Sequence, residues 1–281
     1  YVSFASLKRF HPNEQKILFT NSKVPDFWEE SFLSLGVEMR VIPFTHRPPP
    51  GFTDTFQGAL FRLDALKAAE KYSLNLYLDP DVLCTNGSLT LLENEMKQRI
   101  AGVYPIPIRN SSVMNGSSLH QQGLFANEIG ICQPIRHFGG ELYAIQGSHA
   151  EAISNLIDAV WARNINRFHQ GRPHLRTEEQ ILNLVLADFK PADLSNLVWR
   201  IWTAARSRTV PRGYKNLKFW HLPAEKSHGF ENLYLVAVQP SSWFWNSSDE
   251  EFVRRAAKIL NISGFSLWLR IKRFTERLQR S

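Results

Sequence analysis

Two short apolar runs, Lys16-Ile17-Leu18-Phe19-Thr20 and Val37-Glu38-Met39-Arg40-Val41-Ile42, flank a stretch that carries Trp28, Phe32 and Leu35 at helix-like spacing. This pattern predicts strand, helix, strand. Ahead of it, Val2-Ser3-Phe4-Ala5 is also strand-like, and the proline-rich run from Pro43 to Gly51 must be loop. From Phe56 to Tyr72 the positions Leu60, Leu63, Leu66 and Ala69 recur at helical spacing, after which Leu74 to Leu78 is a short strand ending on Asp79. Pro105 to Gly123 is polar and rich in proline, glycine and asparagine, which predicts a long mobile loop. A strand around Gly140 to Ile145, helices over about Ala150 to Asn164 and Glu178 to Asp188, and a strand at Lys218 to Leu222 complete the pattern. Strands alternating with helices argue for an α/β fold, and the absence of a dividing linker for one domain.

A chain of 281 residues, 43% hydrophobic and 21% charged, can bury a sizeable core and is not a disordered protein. It contains no apolar run of eighteen residues and no visible signal peptide. Cys84 and Cys132 are too few for a disulfide framework and read as buried thiols. Asn-x-Ser sequons at Asn86, Asn110, Asn115, Asn246 and Asn261 leave a Golgi-type lumen open, while the expected location is cytoplasmic.

The distribution of charge changes the picture more than its sum. Of the net +7, the stretch from Leu194 to Ala224 carries +6 (Arg200, Arg206, Arg208, Arg212, Lys215, Lys218) and the last residues from Phe265 carry +4, so the remainder is net −3. That is not the surface of a nucleic-acid binder, and no nucleic acid is expected as a partner. It describes two local anion-attracting regions. In the second, Leu267, Ile271, Phe274 and Leu278 form one helical stripe, and Arg270, Arg273, Arg277 and Arg280 lie opposite. A basic amphipathic helix of this kind suits an anionic membrane surface or, equally, packing on the domain.

Asp79-Pro80-Asp81 follows the strand Leu76-Tyr77-Leu78 directly, and ligands gather at the carboxyl ends of strands in open α/β sheets. Two carboxylates one residue apart can share a hard cation whose remaining positions go to phosphate oxygens, although the triplet is also good turn chemistry.

Tyr77-Leu78-Asp79-Pro80-Asp81-Val82-Leu83 resembles the metal-binding motif of retaining GT-A glycosyltransferases, especially the glycogenin and bacterial lipopolysaccharide galactosyltransferase family. Arg62 sits where that family has an arginine that contacts the nucleotide. Phe138-Gly139-Gly140 resembles the segment beside the donor sugar in the blood-group A and B transferases. Thr177-Glu178-Glu179-Gln180-Ile181-Leu182-Asn183 resembles the motif that follows in both families, which places Glu179 under the anomeric carbon. His221 resembles the histidine that completes the metal site, and Lys226 the downstream lysine on the diphosphate, one residue closer than in that family and without its glycine and proline-tryptophan.

The resemblance implies a single GT-A, Rossmann-like nucleotide-sugar-binding domain over residues 1–264, with a mixed central sheet and a helical tail at 265–281. It implies a metal-dependent transferase that moves a hexose, with retention, from a nucleoside diphosphate sugar, uridine-linked, to a hydroxyl of a glycan or lipid-linked acceptor. Mn²⁺ or Mg²⁺ would be held by Asp79, Asp81 and His221. The donor would contact Phe4, Ala5, Ser6, Arg62, Asp79, Gly139, Gly140 and Lys226. Glu179 would attack the anomeric carbon or stabilise the oxocarbenium-like state. A peripheral position at the inner membrane face is the matching expectation for the tail. Two other classes compete. A nucleotidyltransferase also pairs acidic residues with Mg²⁺, but it would show a glycine-rich phosphate loop and Ser3 to Phe10 has no glycine. The other is a non-catalytic sugar- or membrane-binding protein on a degenerate transferase scaffold.

Overall fold

The structure is a computed structural model that describes residues 1–53, 57–68, 72–106, 113–131, 133–204 and 207–263. Cys132, Arg206 and the expected basic helix at 265–281 lie outside these residues. Along the chain run α1 (Val2–Phe10), β1 (Lys16–Thr20), α2 (Asp26–Ser34), β2 (Val37–Val41), α3 (Phe61–Lys67), β3 (Leu74–Leu78) and β4 (Val82–Cys84). Next come α4 (Thr90–Met96), β5 (Ala101–Pro105), β6 (Val113–Met114), β7 (Ser117–Ser118), α5 (Leu119–Glu128) and β8 (Phe138–Gln146). The rest is α6 (Ala150–His169), α7 (Glu178–Ala187), β9 (Ala192–Asp193), β10 (Val198–Arg200), β11 (Phe219–His221), α8 (Gly229–Ala237), α9 (Trp243–Asn246) and α10 (Asp249–Ile259).

These elements form two compact units, and the chain passes from one to the other between Asp79 and Pro80. The larger unit, Gln15–Asp79 with Ser88–Val198, holds a four-stranded sheet in the order β3-β8-β5-β9. β8 runs antiparallel to both β3 and β5, and β5 is parallel to β9, so the sheet is mixed as expected. From Phe138 to Ile145 every residue of β8 is buried, the burial of a central strand covered on both faces. Leu60, Leu63 and Leu66, the stripe read from the sequence, are all buried in this unit's core with Tyr143, Ile145, Ile157, Ile181 and Leu184. Each such side chain contributes roughly 2 kcal/mol through burial.

The smaller unit comprises Tyr1–Glu14, Pro80–Gly87 and the described part of Trp199–Ser281. Its sheet has the order β10-β11-β4, with Phe219 opposite Cys84 and His221 opposite Val82 in the antiparallel β11–β4 pair. Phe10, Phe244 and Phe252 meet edge-to-face in its core, and Cys84 is buried there as a free thiol.

Three expectations are corrected. Val2-Ser3-Phe4-Ala5 is not a strand but the start of α1, whose buried face is Val2, Ser3, Ala5, Ser6 and Phe10. Two serines on that face hid the helical period, since a hydroxyl scores as polar even where it is satisfied internally. The segment Pro105 to Gly123 is not one long loop. It contains the β6–β7 hairpin and the start of α5. Asn115 and Gly116 both have positive φ, 51° and 83°, as a two-residue hairpin turn requires, and Ser118 with Gln121 forms a capping box for α5. Of the helix expected over Phe56 to Tyr72, residues 56 and 69–71 lie outside the described residues, and the described part is a 3₁₀ turn at Gln57–Leu60 followed by α3.

α7 starts as predicted, with Thr177 and Gln180 in a second capping box. The Gln180 side chain does more than cap. Its Nε2 donates to the carbonyls of Met114 (3.0 Å) and Asn115 (3.3 Å), and its Oε1 accepts from the Arg176 N–H (2.6 Å). No helix among the described residues is long and apolar enough to cross a membrane.

Candidate active site

The site in the larger unit is built on an interruption of the sheet. Val103 pairs with Tyr143, but the next residue, Tyr104, pairs with Gly139, so Gly140, Glu141 and Leu142 bow away from β5. Irregularities of this kind re-aim backbone groups, here those of Gly140. The Gly140 N–H donates to Glu179 Oε1 at 2.8 Å, and its carbonyl accepts from Arg62 Nη1 at 2.7 Å. A side chain would not fit, because a Cβ at Gly140 would meet Arg62 Nη1 at 2.7 Å and Glu179 Oε1 at 3.1 Å. The glycine read from the motif is thus required by close approach.

Arg62 projects from α3 into this bend and also donates to Asp79 Oδ1, while its Nη1 lies 3.5 Å from Glu178 Oε1. Asp79 is set at the end of β3 by its own N–H, which donates to the Glu141 carbonyl at 3.1 Å. One guanidinium therefore serves Asp79 and Glu178, with Glu179 beside them. Burial pushes the Glu178 pKa up to about 7, with Arg62 pulling it down and Glu179 and Asp79 adding repulsion. Burial also drives the Tyr143 phenol well above its ordinary value.

In the smaller unit, Asp81 begins the descent into β4 and the β11–β4 ladder brings His221 alongside. The Asp81 carbonyl accepts from the Leu222 N–H at 3.1 Å. Asp81 is 3% exposed, and among the described residues its Oδ1 has no hydrogen-bond partner. Its Oδ2 lies 3.3 Å from His221 Nε2 and 3.1 Å from Lys226 Nζ. Burial alone would raise its pKa, but His221 and Lys226 outweigh burial and hold it below the usual carboxylate value. A buried carboxylate is costly unless cations serve it; here Lys226 and His221 face Oδ2 while Oδ1 is left without a partner among the described residues. Asp79, Asp81 and His221 each offer a ligand atom, and these atoms lie within 4.8 Å of one another, so the three could hold a metal ion.

The other sequence-predicted residues fall as follows. Gly139 is buried in β8 beside Gly140. Lys226, 63% exposed at its side chain, reaches Asp81. Ala5 and Ser6 are sealed inside the smaller unit, where the Ser6 hydroxyl donates to the Ser3 carbonyl and accepts from the Cys84 N–H, and Phe4 is half-buried on α1. Of the basic stretch, Arg208 is spent on the carbonyls of Asn261 and Ile262, and Lys218 is buried against His11 and the Asn86 carbonyl. A cleft of about 390 Å³, lined by Gly116, Gln121, Arg167 and Arg176 among others, contains none of the predicted residues.

Sequence reasoning passed over His137, which directly precedes Phe138-Gly139-Gly140 and lies 3.6 Å from Glu179 through its Nε2. It also gave Glu178 no role of its own. A signal for His137 was its adjacency to the glycine motif. No sequence signal ties Glu178 to Arg62.

No protein-family profile and no curated protein sequence matches the chain. Solved structures do resemble it. The galactosyltransferase LgtC in complex with donor and acceptor sugar analogues is 14% identical over 96% of this chain and 94% of its own, with a TM-score of 0.51. An active-site glutamine-to-glutamate variant of LgtC is also 14% identical, covering 96% and 93%, with a TM-score of 0.52. The apo form of WbbM, a bifunctional glycosyltransferase, is 11% identical over 90% of this chain and 48% of that one, with a TM-score of 0.54. At such identities the likeness shows the fold, which is the GT-A fold of glycosyltransferases.

Proposed function

We propose that this chain is a metal-dependent, retaining hexosyltransferase that uses a uridine-linked nucleotide sugar and a hydroxyl acceptor on a glycan or glycolipid. The observation that carries the proposal is Asp81, a buried carboxylate whose Oδ1 has no hydrogen-bond partner among the described residues, set beside His221 at the end of a strand in a GT-A fold. The two carboxylates suit Mn²⁺ or Mg²⁺, and the imidazole favours Mn²⁺ of the two, because Mg²⁺ is held by oxygen ligands. Bound at Asp79, Asp81 and His221, such an ion would supply neutralisation of the charge that develops on a departing diphosphate.

The chain's own residues have separable tasks. Lys226 is the exposed cation next to Asp81 and is assigned to the diphosphate. Arg62 holds Asp79 and, through the Gly140 carbonyl, fixes the bend against which the donor sugar would lie. Glu179, with Oε1 tied to the Gly140 N–H, presents a fixed carboxylate to the anomeric centre, as nucleophile or as electrostatic partner of the oxocarbenium-like state. The basic segment from Phe265 onward is assigned to an anionic membrane surface, which suits a lipid-linked acceptor.

The test is turnover of a panel of sugar nucleotides by the full chain, with Mn²⁺ and with chelator, following diphosphate release and the anomeric configuration of the product. Metal-dependent release with retained configuration supports the proposal. Binding of donors without turnover under any metal would replace it by a non-catalytic role.

A further inference from the structure

Asn183 sits one turn after Glu179 on α7, so the two side chains share a face of the helix. The His137 ring lies across both, with its side chain fully buried. Its Nδ1 is 3.2 Å from Asn183 Nδ2, and its Nε2 is 3.6 Å from Glu179 Oε2.

Which nitrogen carries the ring proton follows from the surroundings. The Phe138 backbone N–H can only donate, and it donates to Asn183 Oδ1 at 2.7 Å. That fixes the Asn183 amide, leaving its NH₂ to donate to Gln122 Oε1 at 3.1 Å and to His137 Nδ1. A ring nitrogen that accepts holds no proton. The proton therefore sits on Nε2, which is buried and reaches no hydrogen-bond acceptor among the described residues. The nearest carboxylate oxygen is Glu179 Oε2. At 3.6 Å the contact is too long for a hydrogen bond, but hydrogen bonds of this kind tighten when substrate is bound.

We propose that His137 is a positioning residue for Glu179, a neutral imidazole locked by Asn183 so that its Nε2–H donates to the carboxylate oxygen that Gly140 does not hold. Resting on the transferase function proposed for Glu179, this assigns the chain a relay from the Phe138 backbone through Asn183 and His137 to the reacting carboxylate. Its effect is to hold Glu179 in one rotamer, with Gly140 on Oε1 and His137 on Oε2. A cationic ring in the same place would weaken Glu179 towards a carbon that is itself becoming positive, and the Asn183 lock prevents this.

Two measurements on the full chain test the proposal. Two-bond ¹H–¹⁵N correlation spectra, with His137 assigned by its disappearance in His137→Gln, should show the Nε2–H tautomer and a shift of that resonance in Glu179→Gln. A Nδ1–H tautomer, an imidazolium, or a resonance indifferent to Glu179→Gln would overturn it. This result does not require turnover, so it stands apart from failure of the transferase proposal. In kinetics, a glutamine amide takes the place of Nε2–H, whereas asparagine replaces only the Nδ1 side. His137→Gln should retain turnover within about 10-fold, and His137→Asn should lose kcat by about 100-fold with donor KM unchanged. Equal loss in the two variants, or loss confined to KM, would also overturn it.

Discussion

Arg62 and Glu178 face one another at 3.5 Å with side chains only 15% and 9% exposed. The guanidinium is shared with Asp79, so the pair is not balanced, and Glu178 bears the surplus of negative charge.

A pH dependence follows from the Glu178 pKa of about 7, raised from 4.5 chiefly by burial. The folded protein then binds a proton more tightly than the unfolded chain, and this group's contribution to stability declines as pH rises from about 4.5 to about 7. Glu178→Gln removes the titration. Denaturant unfolding at pH 5 and pH 8 should show wild type losing roughly 2–3 kcal/mol more than Glu178→Gln over that interval.

Asp81→Asn should leave the fold intact and abolish metal-dependent transfer, because a neutral amide is a much weaker partner for a hard dication. The measurement independent of activity is thermal shift. Wild type is expected to be stabilised by Mn²⁺ together with a nucleotide diphosphate, and the variant is not.

Gly140→Ala tests the close approach at the bend. A methyl group placed 2.7 Å from Arg62 Nη1 and 3.1 Å from Glu179 Oε1 must displace one of them. Turnover should fall by about 10- to 100-fold while the secondary structure seen by circular dichroism is unchanged. A larger loss from Gly139→Ala than from Gly140→Ala would place the critical approach one residue away.

The basic C-terminal segment should hold the full chain on anionic liposomes in a salt-sensitive way, at about 1 kcal/mol per basic residue near the surface. Sedimentation of the full chain beside a variant ending at Gly264 is the check. Equal binding by both would assign the segment to packing instead.

How much was legible in the sequence divides along the distance over which each feature is made. Asp79-Pro80-Asp81 at a strand end, the start of α7 at Glu178 and the leucine stripe at Leu60, Leu63 and Leu66 are local patterns, and each lies where it was read. α1 was misread because Ser3 and Ser6 are buried although polar, the Ser6 hydroxyl being satisfied inside the fold by the Ser3 carbonyl and the Cys84 N–H far along the chain. The hairpin at Asn115-Gly116 was legible from its turn residues and was overlooked under a polar composition. The raised pKa of Glu178 and the His137–Glu179 approach depend on partners brought together by β8 and α7, and spacing along a chain does not encode such meetings.

The single amide of Gln180 has a mechanical consequence. By gripping the Met114 and Asn115 carbonyls while also capping α7, it rivets the β6–β7 hairpin to the first turn of the helix, one residue from Glu179. Displacing the hairpin therefore levers the carboxylate. Lengthening its two-residue turn should blunt catalysis without touching any group that meets the sugar.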